Sequence, residues 1–229
     1  MARVPQHEAS LFKSHSYKPD DPAAKANDKA VETLLRGDAK KAVEMLNQVE
    51  FDYPGVYYTA ANLGTAYELS GDDTNALKWI LEGIKRNPDS HMRTEWLHVR
   101  ILETKIKLKT DPQWLASHTI TGVDPARLGE VGYYIETAQR RLDADEIADS
   151  LFRQLSVRML FVKPKDPIVA QLLNELALCE AQMGTLENAD QYARMAVQYG
   201  LPIERLLPKV TEWRKIIEQA KKNPVAPTR

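Results

Sequence analysis

The sequence predicts an all-α fold: a right-handed helical solenoid of stacked antiparallel helix pairs, with irregular middle repeats and a C-terminal capping helix. Shifted against itself by 34 residues, the chain sets Gly37 on Gly71, Ala42 on Ala76, Leu46 on Ile80 and Pro54 on Pro88. A period of about 34 residues belongs to helix–turn–helix units that bury their apolar faces by stacking. Glycine and proline recur where such helices have to stop, which is the second observation. The third is negative: no strand-like alternation of any length competes with the helical pattern.

Taken in order, residues 1–22 are expected to form a flexible N-terminal segment, with KPDDPAAK (18–25) leading into the helical-repeat domain at 23–222. The first clear repeat covers 23–56 and the second 57–90. In the second, Gly64 has no side chain, so the partner helix is expected to cross close to it, against the small Ala76. A mid-helix glycine costs about 1 kcal/mol relative to alanine, which that close approach has to offset. Gly71 suits the left-handed position that ends a helix. Asp72 or Asp73 then caps the next helix, and Pro88 disfavours helical geometry at Asn87.

Degenerate repeats follow over 91–166. TEWLHVRILETKIKLK (94–109) reads as a helix with a broad apolar surface, DPQWLASH (111–118) starts a short helix, and TITGVDP is a loop. Residues 125–142 and 144–162 are expected to pair as helices, with the acidic DADE (143–146) between them serving as cap and dipole partner. A third clear unit spans 170–202, with Leu176, Ala177, Gly184, Ala189 and Ala196 in the repeat order. Residues 208–222 form a capping helix whose Val210, Trp213, Ile217 and Ala220 share one face, with Pro208 in its first turn. Residues 223–229 are a tail.

The second unit resembles the tetratricopeptide repeat (TPR), with Leu63, Gly64, Tyr67, Gly71, Ala76 and Pro88 at the family's places. The first unit departs from it, because Lys29, Ala30 and Thr33 replace the Leu, Gly and Tyr. The stretch NPDSHMRTEWLHVRILETKI is also similar to bacterial proteins of this repeat class. The resemblance implies a concave groove lined by the first helix of each pair. Ligand-facing places then fall on Asn27 and Val31, on Asn62 and Thr65, and on Thr94, His98 and Arg100 in the following helix. Tyr58 joins this set as an aromatic anchor; Tyr57, Tyr133 and Tyr134 are the other tyrosines whose exposure matters. The family's carboxylate clamp is not expected, since only Asn62 matches it. Asn27 stands for a lysine, Val31 for an asparagine, and Thr94 and His98 for two cations.

The leading functional expectation is a non-enzymatic scaffold or adaptor that binds a protein or peptide in that groove, with no cofactor. One alternative is a metal-dependent enzyme or metal-binding protein centred on His91, Glu95 and His98. On a continuous helix these residues lie at i, i+4 and i+7, and Glu-x-x-His is a spacing used in helical-bundle metal sites. Such sites need a second Glu-x-x-His, which this chain lacks. A self-associating structural protein, for example a homodimer, is the other alternative.

The bulk composition narrows the partners. With 31 basic and 32 acidic residues, the formal charge of -1 gives no excess to displace counterions from nucleic acid. The basic set Lys209, Arg214, Lys215, Lys221 and Lys222 reads as a solvated face of the end helix. No run approaches the roughly 18 apolar residues of a membrane span, so no insertion is expected. MARVPQHEAS lacks the apolar core of a secretory signal, leaving a soluble protein that is cytoplasmic or, if a leader was removed, periplasmic. The single cysteine, Cys179, lies in an apolar helical stretch and is expected to be a packed core residue.

Overall fold

The structure is a computed structural model and describes residues 21–222. The expected N-terminal segment (but for Asp21 and Pro22) and the tail at 223–229 lie outside the described residues. The chain divides into two compact units, with the boundary between Trp114 and Leu115. Both are dominated by α-helices, and successive helices pack against one another, in keeping with the all-α class.

The first unit holds α1 (Pro22–Leu35), α2 (Ala39–Asp52), α3 (Tyr57–Ser70), α4 (Asp73–Arg86) and α5 (Glu95–Leu108). Each is 14 residues long. The 34-residue period reappears in the punctuation. Asp38 accepts from Lys41 N at 3.0 Å to cap α2, and Asp72 accepts from Asn75 N at 3.1 Å to cap α4. Gly37 and Gly71 precede those caps with φ of 92° and 93°, the left-handed conformation that only glycine adopts without penalty. Asn87 turns extended ahead of Pro88, and α4 stops.

The close approach at Gly64 is present but meets a different residue from the one expected. A Cβ at Gly64 would lie 2.4 Å from Cδ1 of Ile80, so Ile80, one turn along α4 from Ala76, fills the space. Ile80, Ala76 and Leu102 form a buried cluster joining α4 to α5, with Tyr67, Leu77, Ile84 and Val99 around it. Near the opposite end of α4, Arg86 donates two hydrogen bonds of 2.8 Å to Glu50 of α2 and one of 3.0 Å to the Val56 carbonyl. The α3–α4 hairpin is thus joined to α5 by apolar packing and to α2 by a bidentate ion pair.

The second unit holds α6 (Ala144–Phe161), α7 (Pro167–Met183), α8 (Leu186–Gln198) and α9 (Leu207–Lys222). The helix expected over 125–142 does not form. That segment is turns followed by a hairpin of β1 (Tyr134–Glu136) and β2 (Arg141–Asp143), antiparallel with Ile135 opposite Leu142. Both of those side chains are buried while their strand neighbours face out, which is the alternation of a half-buried ribbon. The short helix expected at 111–118 is one 3-10 turn, Trp114–Ala116. DADE does act as a cap: Asp143 and Glu146 form a reciprocal capping box at the start of α6.

Helix α7 is buried continuously from Ile168 to Cys179, the pattern of a central helix covered on all sides. Cys179 is fully buried, and burial pushes its thiol up to about 12. Terminal α9 covers α8 with Val210 and Trp213, while Ile217 is half-buried and Ala220 is exposed. The apolar face of the capping helix therefore fades after its second turn, and Arg214 ties it to Asp190 of α8 at 2.7 Å.

Candidate functional site

Two neighbouring features of the first unit gather the residues singled out from the sequence. One is a stripe along α3. Tyr58, Asn62 and Thr65 recur at i, i+4 and i+7, which places them on one face of the helix. Asn62 is buried, and its amide donates to Asn27 Oδ1 of α1 at 3.1 Å. Asn27 is fully buried, with Nδ2 making no hydrogen bond, and Thr59 Oγ1 likewise has none. Val31, one turn beyond Asn27, packs into the core. Tyr58 and Thr65 remain half-exposed at the two ends of the stripe; the Thr65 hydroxyl donates back to the Ala61 carbonyl at 3.3 Å. A ligand can therefore reach the ends of the stripe, and its middle is an amide–amide link between α1 and α3.

The second feature is a chain of alternating charges. The sequence places His91, Glu95 and His98 on one continuous helix, but the backbone does not. His91, Met92 and Arg93 have φ of 48°, 54° and 65°, a left-handed turn, and α5 begins only at Glu95. The turn is held by Thr94, whose hydroxyl donates to the His91 carbonyl at 2.8 Å. It nonetheless returns His91 Nδ1 to Glu95 Oε1. Glu95 Oε2 makes no hydrogen bond and faces His98 Nδ1 at an ion-pair distance of 3.4 Å. The other ring nitrogen, His98 Nε2, lies 2.8 Å from Glu68 Oε2 of α3. Lys105 then bridges Glu68 at 3.1 Å and Asp73 of α4 at 2.7 Å, and Lys109 closes the chain on Asp73 at 2.7 Å.

Burial sets the electrostatics of this chain. Glu68, Asp73, Glu95 and His98 are all buried. Burial raises the Glu95 carboxyl, but the His91 charge and hydrogen bond, with the neighbouring His98, outweigh it and hold the group well below the usual carboxylate range. For His98, burial disfavours the cation, yet Glu68 and Glu95 together raise the imidazole above its ordinary value. For His91 the same opposition of partial burial and Glu95 also ends in a rise.

The contacts of His91, Glu95, His98 and Glu68 are ion pairs. Among the described residues, no group of three or more His, Cys, Asp or Glu side chains is placed to hold a metal ion. The physical reason lies at His98, where both ring nitrogens face carboxylate oxygens and no lone pair is left to offer a cation. Thr94 is buried and serves the turn, while Arg100 is exposed and lies about 200° round α5 from His98, on another face. Among the other tyrosines, Tyr57 and Tyr133 are half-buried and Tyr134 is exposed. Sequence spacing flagged His91, Glu95 and His98 but missed Glu68, Asp73, Lys105 and Lys109. Glu68 and Asp73 come from other helices and share no spacing with the histidines.

The second unit has one comparable group. Glu175 of α7 is fully buried and accepts from Ile120 N at 2.7 Å, Thr121 N at 2.9 Å, Thr121 Oγ1 at 2.6 Å and Gln171 Nε2 at 2.8 Å. Burial raises its carboxyl against the pull of those donors. Four donors saturate the carboxylate, so its role is to pin the 119–123 loop to α7. The signal available in sequence was an acidic residue amid the apolar Leu172, Leu173, Leu176 and Leu178 of α7.

Compared with known proteins, the sequence matches no family model and no curated protein. No helix among the described residues is long and apolar enough to cross a membrane.

Proposed function

We propose that the first unit is a binding scaffold of tetratricopeptide-like construction that receives a protein or peptide segment along α1, α3 and α5. The observation that carries this reading is the repeat itself. Two consecutive hairpins of equal helix length carry aspartate caps and left-handed glycines at the same 34-residue interval. Such tandem hairpins place successive first helices side by side, and the Asn27–Asn62 link joins two of them here. Tyr58 and Thr65 give that face one amphipathic aromatic and one hydroxyl in reach of an extended chain, while the ion-pair chain fixes α5 against α3. Binding then relies on hydrogen bonds and apolar contact with a preformed surface, without covalent chemistry.

Peptide selection from a displayed random library against the full chain tests this. Peptides recovered on the native protein are expected to lose at least tenfold in affinity on Tyr58→Ala and on Thr65→Arg. They should keep their affinity on Phe51→Ala, which alters an exposed side chain of α2. Failure to recover any peptide, or peptides sensitive to Phe51 and indifferent to Tyr58, argues against the reading.

A further inference from the structure

We infer that His98 is a buried imidazolium clasp between α3 and α5, so that the start of α5 is held by a proton and loosens as the medium becomes alkaline. The geometry carries this. A neutral imidazole has one N–H and one lone pair, and His98 presents a carboxylate oxygen to each of its nitrogens: Glu68 Oε2 to Nε2 and Glu95 Oε2 to Nδ1. With either nitrogen unprotonated, a lone pair would face a carboxylate in a buried site. Only the doubly protonated ring satisfies both sides.

The surrounding charges leave no substitute for that proton. Glu68 comes from α3, Asp73 from α4, Glu95, Lys105 and Lys109 from α5, and His91 from the left-handed turn. Lys105 and Lys109 are committed to Glu68 and Asp73. Glu95 depends on His91, whose side chain is 40% exposed, and on His98. Loss of the His98 proton therefore leaves a buried carboxylate compensated by one half-solvated histidine, an expensive arrangement.

The sign follows from linkage. The folded imidazole lies above its ordinary value, so its contribution is fully present below the unfolded value and is lost as pH rises through the folded one. His91 is raised in the same direction and reinforces the loss. The segment that loosens is 91–98, because the left-handed turn is anchored to α5 through Glu95 and Thr94. This clasp stands whether or not the face beside it binds a peptide.

The test uses the full chain labelled with 15N-histidine, read by long-range 1H–15N correlation between pH 6 and 10, alongside amide exchange at residues 94–98. Below its midpoint the His98 ring is expected to carry protons on both nitrogens, with that midpoint above the ordinary imidazole value. Above its midpoint, protection factors at 94–98 should fall at least threefold. The fall is roughly tenfold for each pH unit separating that midpoint from the ordinary imidazole value. His98→Gln should remove the part of this pH dependence that follows the His98 midpoint and leave the part carried by His91. If that variant does not fold, Glu95→Gln serves instead and should move the His98 midpoint downward. A midpoint at or below the ordinary imidazole value overturns the inference. So does protection that stays flat through the ring's titration, or a midpoint unmoved by Glu95→Gln.

Discussion

Replacing Gly64 by alanine adds one methyl group where α3 and α4 cross. The new Cβ would sit 2.4 Å from Ile80 Cδ1, 2.6 Å from Cγ1 and 3.2 Å from the Ile80 backbone nitrogen. Comfortable carbon contacts lie at about 3.5–4.0 Å, so roughly 1 Å of separation has to be found. Rotating Cδ1 away does not suffice, because Cγ1 hangs from a β-branched Cβ with little freedom at χ1. Ile80 is itself locked in the cluster with Ala76 and Leu102. Overpacking of this kind costs about 1–3 kcal/mol, against a gain of about 1 kcal/mol from putting alanine in a helix. The expected net is a loss of about 1 kcal/mol, rising to about 2 if α4 has to shift. Gly83→Ala is the control, since its Cβ would meet Ala61 at 3.4–3.8 Å, ordinary contact. That variant should gain about 0.5–1 kcal/mol from propensity alone. Urea unfolding of the full chain followed by far-UV circular dichroism measures both. If Gly64→Ala stabilises the protein, or if the two substitutions shift the midpoint alike, the close-packing argument is refuted.

Three further outcomes follow from individual sites. Glu175→Ala strips the acceptor from two buried backbone N–H groups; at about 1–3 kcal/mol each, the loss should reach about 2–6 kcal/mol, with faster amide exchange at Ile120 and Thr121 as the local signature. Cys179 should resist alkylation at pH 8 in the native protein and react at least about a hundredfold faster in urea, because burial holds the thiol up at about 12. Met92→Gly should raise stability by about 0.5–1 kcal/mol in the same urea assay. Glycine relieves the left-handed penalty of about 1–2 kcal/mol, gives part of it back in chain entropy, and sacrifices little packing at a side chain 67% exposed.

What the sequence made legible was the part of the fold written in local residues. Gly37, Gly71, Asp38, Asp72 and Pro88 act through their own backbone or the next turn, so a fixed period exposes them. Over 125–142, Ala126, Arg127, Leu128 and Ala138, Gln139, Arg140 are good helix formers, so local propensity favours a helix that does not form. The deciding signals were Pro125, Gly129 and Gly132, together with alternation only three residues long in each strand. The left-handed turn at 91–93 carries no glycine to announce it and rests on side-chain contacts to Glu95 and by Thr94. The buried charge chain was half visible: spacing along one helix brought out His91, Glu95 and His98. The carboxylate that makes His98 a clasp, Glu68, arrives from 30 residues away.

The proposed function rests on α1, α3 and α5 presenting one binding face, and a hydrogen-exchange footprint of the full chain with a selected peptide tests that most directly. Added protection concentrated at Tyr58–Thr65 of α3, extending to α1 around Asn27 and to the start of α5, is the predicted result. Protection confined to α2 and α4, or to the second unit, would contradict it.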